Sequence, residues 1–179
     1  MHFNDILNFW FHEIEPKRWW KKDKKFDELL RYRFLNIYYD AINRKLKSWR
    51  ISEKGRLAEI IVIDQFSRNL FRDKPDAYYH DRLAIFLSKE LIHLKLHQKL
   101  NKNEKIFTFM PFMHSEIFED QIISLSLYSN LGIKENFRSA LKHFNIIRKF
   151  GRFPHRNKIL NRKSTEEELA FLTTPGSSF

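Results

Sequence analysis

The chain has 179 residues, 42% hydrophobic and 31% charged, with a formal net charge of +11. That composition excludes a disordered chain and fits one folded domain with a sizeable core. With only 4 Gly and 5 Pro it lacks the turn residues of an all-β fold, and with no Cys it has no disulfide, thiolate nucleophile or cysteine-ligated metal.

The elements follow in chain order from apolar spacing and punctuation. Asn4 reads as the cap of a short first helix bearing Ile6, Leu7, Phe9, Trp10 and Phe11, with Pro16 marking its exit. Asp23 caps a longer helix, whose Phe26, Leu30, Phe34, Ile37 and Ala41 recur at three- and four-residue steps on one face. Ser52 and Gly55 mark the next break, and a third helix is expected over residues 54–66. Asp76 opens a fourth, with Leu83, Ala84, Leu87, Leu91 and Leu94 on its inner face. Residues 101–104 read as a polar loop, and Pro111 as the start of a fifth helix reaching Leu131 with Gly132 just past its end. A sixth spans residues 136–150, with Ala140, Phe144 and Ile147 inward and Gly151 and Pro154 as its stop. Either Ser164 with Glu167 or Thr165 with Glu168 makes a capping box for a short last helix through Leu172. Residues 173–179 form a loop-like tail. No period-2 pattern supports a strand. The expectation is a single all-α domain over residues 1–179.

No run approaches the roughly 18 apolar residues of a membrane span, and residues 1–15 lack the basic-then-apolar order of a secretory signal. A cytoplasmic protein without membrane contact is expected. The positive charge fits a lysine-rich solvated surface or an anionic partner. Its distribution matters: between residues 138 and 163 stand nine Lys and Arg, five of them Arg, and no Asp or Glu. Arginine is the side chain suited to bidentate anion recognition.

Three stretches carry the candidate chemistry. In residues 64–72, Asp64 falls on the same helical face as Leu57, Ile60 and Ile61, so it is expected to be buried, and a buried carboxylate needs a partner. Arg68, one turn on, is the nearest, and Arg72 the next. In residues 114–121, His114, Ser115 and Glu116 are expected to open the fifth helix, where free backbone N–H groups favour an anion; His114 and Gln121 share a face. Adjacent helical positions do not face one another, so His114, Ser115 and Glu116 make no nucleophilic triad by themselves. His114 and Glu116 make only a weak His-x-Glu metal pattern with no Cys pair beside it, and no metal or cofactor is assigned. His143 lies on a largely apolar face. In residues 148–157, basic residues alternate with Phe150 and Phe153 around Gly151 and Pro154, which suits phosphate, carboxylate or single-stranded nucleic acid. Because buried Asp64 and His143 both need polar neighbours, the three stretches are expected to meet.

At these residues the chain resembles a known bacterial family, domain of unknown function 924. The resemblance rests on Phe9-Trp10-Phe11; on Arg56-Leu57-Ala58 leading into Asp64-Gln65-Phe66-Ser67-Arg68-Asn69; and on Pro111-Phe112-Met113-His114-Ser115-Glu116 with Asp120-Gln121. Residues 148–157 and 165–179 also match. It implies a tetratricopeptide-like superhelical array of antiparallel helices and no particular activity. The chain departs at Ser67, where the family usually has Pro, so the third helix is free to continue toward Arg68, and at Asn161, where the family usually has Gly.

The leading functional reading is a polar, arginine-rich helical pocket for a small anionic ligand, with catalysis on that ligand as its extension. Asp64, His114 and Glu116 are the catalytic candidates. Arg68, Arg72, Gln121, His143, Arg152, His155, Arg156 and Asn157 are the ligand-binding candidates. The second reading is a non-enzymatic peptide-binding module, which rests on fold analogy alone. The third is nucleic-acid binding through the basic C-terminal third. Neither oligomeric state nor ligand identity is legible.

Overall fold

A computed structural model describes residues 1–178; Phe179, the last residue of the expected tail, lies outside the described residues. Every regular element among the described residues is helical. The chain divides into two compact units. The first comprises Met1–Arg72 and Asp76–Pro111, the second Asp73–Pro75 and the chain from Phe112 onward.

The first unit carries α1 (Phe3–Asn8), α2 (Lys24–Ile42), α3 (Glu53–Ile61), α4 (Ser67–Leu70) and α5 (Asp81–His93). Its core is aromatic. Phe9 meets Phe34 with ring centroids 4.7 Å apart, Phe34 meets Phe66 at 5.0 Å, and Trp10 meets both Phe66 and Phe107 at 5.5 Å. The expected face of α2 is buried throughout, and the Asp23 carboxylate accepts from the N–H groups of Lys25 and Phe26 as a cap should. His2, not Asn4, caps α1, because its ring accepts from the Asn4 N–H while Asp5 reaches back to the His2 N–H. Ser52 caps α3 through the Gly55 N–H at 3.0 Å, so Gly55 lies inside the first turn rather than at a break. Glycine is required there by a close approach: a Cβ would stand 2.0 Å from the Trp49 carbonyl oxygen.

The helix that begins as α3 does not stop at Phe66. It passes through a π-helical turn, Val62–Phe66, and continues as α4 to Leu70. Asp64 and Gln65 in that turn and Ser67 just after it are all buried. Asp76 does not open the fourth helix. It sits in a single 3-10 turn, Pro75–Ala77, and α5 starts at Asp81. Ala84, Leu87 and Leu91 are buried as expected, whereas Leu94 falls just past the helix end and is exposed.

The expected loop at residues 101–104 is instead the start of α6 (Lys102–His114). Asn101 and Glu104 cap it reciprocally, with the Glu104 N–H donating to Asn101 Oδ1 at 3.0 Å and the Asn101 N–H to Glu104 Oε2 at 2.9 Å. Pro111 therefore lies within a helix rather than at its beginning. Three residues follow before α7 (Phe118–Leu131), and α8 (Lys134–Phe150) begins directly beyond Gly132 and Ile133. Gly132 (φ 74°) and Gly151 (φ 67°) end α7 and α8 in the left-handed conformation that glycine adopts without strain. The inner face of α8 carries Ala140, His143, Ile146 and Ile147, while Phe144 is only half-buried. A one-turn 3-10 helix, Pro154–Arg156, and α9 (Glu166–Leu172) complete the second unit. Thr165 with Glu168 is the capping box that forms. No helix among the described residues is long and apolar enough to cross a membrane.

Candidate functional site

The first stretch belongs to the first unit and is held by its own charge network. Asp64 is 1% exposed. Its carboxylate accepts from Gln65 Nε2 at 2.5 Å and faces Arg68 Nη2 at 3.3 Å. Arg68 also donates to the Asp64 carbonyl oxygen at 2.6 Å and to Asp81 Oδ2 at 3.1 Å. Burial works against the Arg68 charge, but Asp64 and Asp81 outweigh it and raise the guanidinium pKa. Arg72 makes a bidentate pair with Asp27 at 2.5 and 2.6 Å, which ties the segment after α4 to α2.

The other two stretches meet in the second unit. Because α6 runs through Pro111, His114 ends that helix and Ser115 and Glu116 lie in the connector; none of the three opens a helix. His114 and Gln121 are on different helices. The fully buried Gln121 amide donates to the carbonyls of Phe112, Met113 and Ser115, at 3.2, 2.8 and 2.6 Å, and so closes the connector. Ser115 Oγ donates to Asp120 Oδ2 at 2.8 Å.

Glu116 reaches the chain after α8. Its carboxylate accepts from the Phe153 N–H at 2.7 Å and from Arg162 Nη1 and Nη2 at 2.6 and 3.0 Å. Burial pushes its pKa up, but the bonds from Arg162 and Phe153 pull harder and leave it lowered. Arg152 and Asn157 converge on Glu168, which accepts from Arg152 at 2.6 and 2.8 Å and from Asn157 Nδ2 at 3.2 Å. With the Thr165 N–H as a further donor, the Glu168 pKa is lowered to about 2, mainly by the Arg152 hydrogen bond. Asn157 Oδ1 in turn accepts from Arg162 Nε at 3.0 Å.

What remains gathers around one ring. Phe153 is fully buried. His143 packs edge-on against it at 5.5 Å, His155 lies 5.7 Å away, and the Arg156 guanidinium sits 4.6 Å over its face. The His114 ring is 6.3 Å from that of His143. His143 and Arg156 are each 5% exposed. The Ser139 carbonyl 2.8 Å from His143 Nδ1 is an acceptor only, so Nδ1 carries the proton and Nε2 the lone pair. Burial depresses the His143 pKa to about 3, with the Ser139 bond opposing and His114, Arg156 and His155 adding to the fall, so the ring is neutral at physiological pH.

Sequence reasoning missed three residues that organise these networks: Arg162 as the partner of Glu116, Glu168 as more than a cap, and Asp81 as the second partner of Arg68. Glu168 was marked by its capping-box spacing. The other two carried no local signal, since their partners lie 46 and 13 residues away.

The class of protein is therefore an all-helical domain with buried ion-pair networks and a histidine–arginine cluster about a single phenylalanine. The chain belongs to the family described as bacterial protein of unknown function (DUF924), which matches residues 6–176. It is similar to the solved structure of ATU0120, a protein of unknown function from Agrobacterium tumefaciens, at a TM-score of 0.91 and 34% identity over 96% of each chain. No curated protein matches the chain.

Proposed function

We propose that the domain binds a small oxyanion at the cluster formed by His114, His143, His155 and Arg156. The observation that carries this reading is the pairing, around Phe153, of a buried guanidinium with a buried imidazole fixed in one tautomer. The guanidinium supplies positive charge beside the ring cluster. His114, His143 and His155 bring imidazoles to the same ring, and imidazole with guanidinium suits an oxyanion such as hydrogenphosphate or a hydroxy acid. Catalysis on that ligand is the extension of this reading, with His114, its ring 6.3 Å from that of His143, as the candidate proton carrier. Arg68, Arg72, Arg152, Gln121, Asn157 and Glu116 hold the networks described above and take a positioning role. Asp64, in the first unit, remains a candidate acid–base carboxylate. The tetratricopeptide-like arrangement is part of the proposal, and the α7–α8 helical hairpin is compatible with it.

Thermal unfolding in phosphate, with chloride at matched ionic strength as the control, tests the binding. A ligand that binds only the folded state stabilises it by about 2.7 kcal/mol at a hundred times its Kd. Phosphate is expected to raise Tm saturably. Arg156→Lys should remove that increment, whereas Arg152→Ala should lower the baseline Tm and leave the increment in place. If phosphate and chloride act alike, the reading fails. Oligonucleotide binding with a steep salt dependence would favour nucleic acid instead.

A further inference from the structure

The first unit contains a cleft of about 580 Å³ that shares no lining residue with the candidate site described above. Its walls come from two places. Arg44, Lys47 and Arg50 follow the end of α2, and Tyr79, Arg82 and Phe86 lie before and along α5. Arg82, Phe86 and Glu90 are spaced at i, i+4 and i+8, so one stripe of α5 faces the opening.

The charges in this cleft are unbalanced. Arg50 is neutralised by the buried Glu59, through bonds of 2.7 and 2.8 Å. Glu90, the acidic residue of the lining, is engaged by Arg56. Arg44, Lys47 and Arg82 have no carboxylate partner among the described residues. Arg44 is moreover held at φ 59°, a left-handed position that glycine adopts without strain, so a charged side chain is kept there against backbone preference. Burial lowers the His80 pKa against the opposing pull of Asp76 and Asp81, so His80 adds hydrogen-bonding capacity rather than charge.

Beside these cations stand two large aromatic side chains turned to solvent, Tyr79 at 79% and Phe86 at 57% exposure. A cleft of roughly 300–1,000 Å³ is the size small ligands occupy. Cations answer anionic oxygens, and exposed rings answer a flat π system. A diphosphate bears about three negative charges at neutral pH, since its terminal phosphate ionises a second time near pH 6. We propose that this cleft is a binding site for a nucleoside diphosphate, with Arg44, Lys47 and Arg82 on the phosphates and Tyr79 and Phe86 against the base. It stands on different residues from the histidine–arginine cluster, so the failure of either proposal leaves the other standing.

Isothermal titration at low salt with ADP, pyrophosphate and adenosine tests the site on the intact chain. ADP is expected to bind saturably. Pyrophosphate, lacking the base, should bind about ten-fold more weakly, as the loss of one stacking contact predicts, and adenosine should give no heat. Lys47→Ala and Arg82→Ala, at exposed positions that leave the core untouched, should each weaken ADP by about ten-fold. Phe86→Ala should weaken ADP and leave pyrophosphate unchanged, and Arg156→Lys should change neither. The proposal is overturned if ADP binds no better than pyrophosphate, if the cleft substitutions have no effect, or if Arg156→Lys abolishes ADP binding. It is equally overturned if a single-stranded oligonucleotide displaces ADP at 50 mM salt and loses its hold by roughly 200 mM.

Discussion

Glu116 separates a catalytic carboxylate from a positioning one, and its removal has a calculable effect. Glu116→Ala deletes the acceptor of the Phe153 N–H at 2.7 Å and of two Arg162 nitrogens at 2.6 and 3.0 Å. A hydrogen bond to a charged group contributes about 1.5–3 kcal/mol, and the Phe153 N–H is left without that acceptor beside a fully buried ring. The ion pair adds less. Its side chains are 24% and 26% exposed, so water recovers part of the loss and the pair itself is worth about 1 kcal/mol. The expected destabilisation is about 2–3 kcal/mol. Glu116→Gln keeps one oxygen for the Phe153 N–H and should lose about half as much. Urea unfolding measures both, with an unchanged m-value as the sign that only stability has moved. A double-mutant cycle with Arg162→Ala isolates the pair, with an expected coupling of about 1 kcal/mol. A loss under about 0.5 kcal/mol with no coupling would refute the reasoning and return Glu116 to the candidates for a general base.

Asp64→Ala should cost about 2 kcal/mol in the same assay, below the usual range for breaking a buried pair because Arg68 keeps Asp81 at 3.1 Å. A loss under about 0.5 kcal/mol would mean that Asp64 is not buried with its partner. Gly55→Ala decides between two opposite signs. Helix propensity alone favours Ala by about 1 kcal/mol, whereas the 2.0 Å approach of a Cβ to the Trp49 carbonyl predicts a loss of about 2–3 kcal/mol; a stabilised variant would disprove the close approach. Acid should unfold the protein in two stages. His143, with a folded pKa of about 3, takes up its proton on unfolding, so its contribution is present above its ordinary value of 6.5 and declines as pH falls below that. Glu168, lowered to about 2 from 4.5, contributes above pH 4.5 and loses that contribution as pH falls through the folded value. Unfolding midpoints measured from pH 8 to 2 should therefore decline below 6.5 and more steeply below 4.5. His143→Phe should flatten the first stage, and Glu168→Gln the second; unchanged profiles would count against both assignments.

The features legible in the linear chain are those whose partners lie within a turn or two. The Asp23 cap, the Thr165–Glu168 box and the left-handed glycines at 132 and 151 involve bonds between residues a few positions apart, so their spacing can be read directly. The buried face of α2 is legible for the same reason, because a period of 3.6 puts Phe26, Leu30, Phe34, Ile37 and Ala41 on one side. Local rules also misled. Proline at 111 resembled a helix start, yet the Asn101–Glu104 cap begins the helix nine residues earlier, at Lys102, and that choice moves His114, Ser115 and Glu116 out of a helical first turn. It was also the tertiary structure that sorted the arginines. Arg72 finds Asp27 across 45 residues, and Arg162 finds Glu116 across 46. An arginine's charge is identical in every sequence context. Whether it is spent on an internal carboxylate or left facing a cleft depends on which elements pack beside it, and composition and spacing contain no record of that.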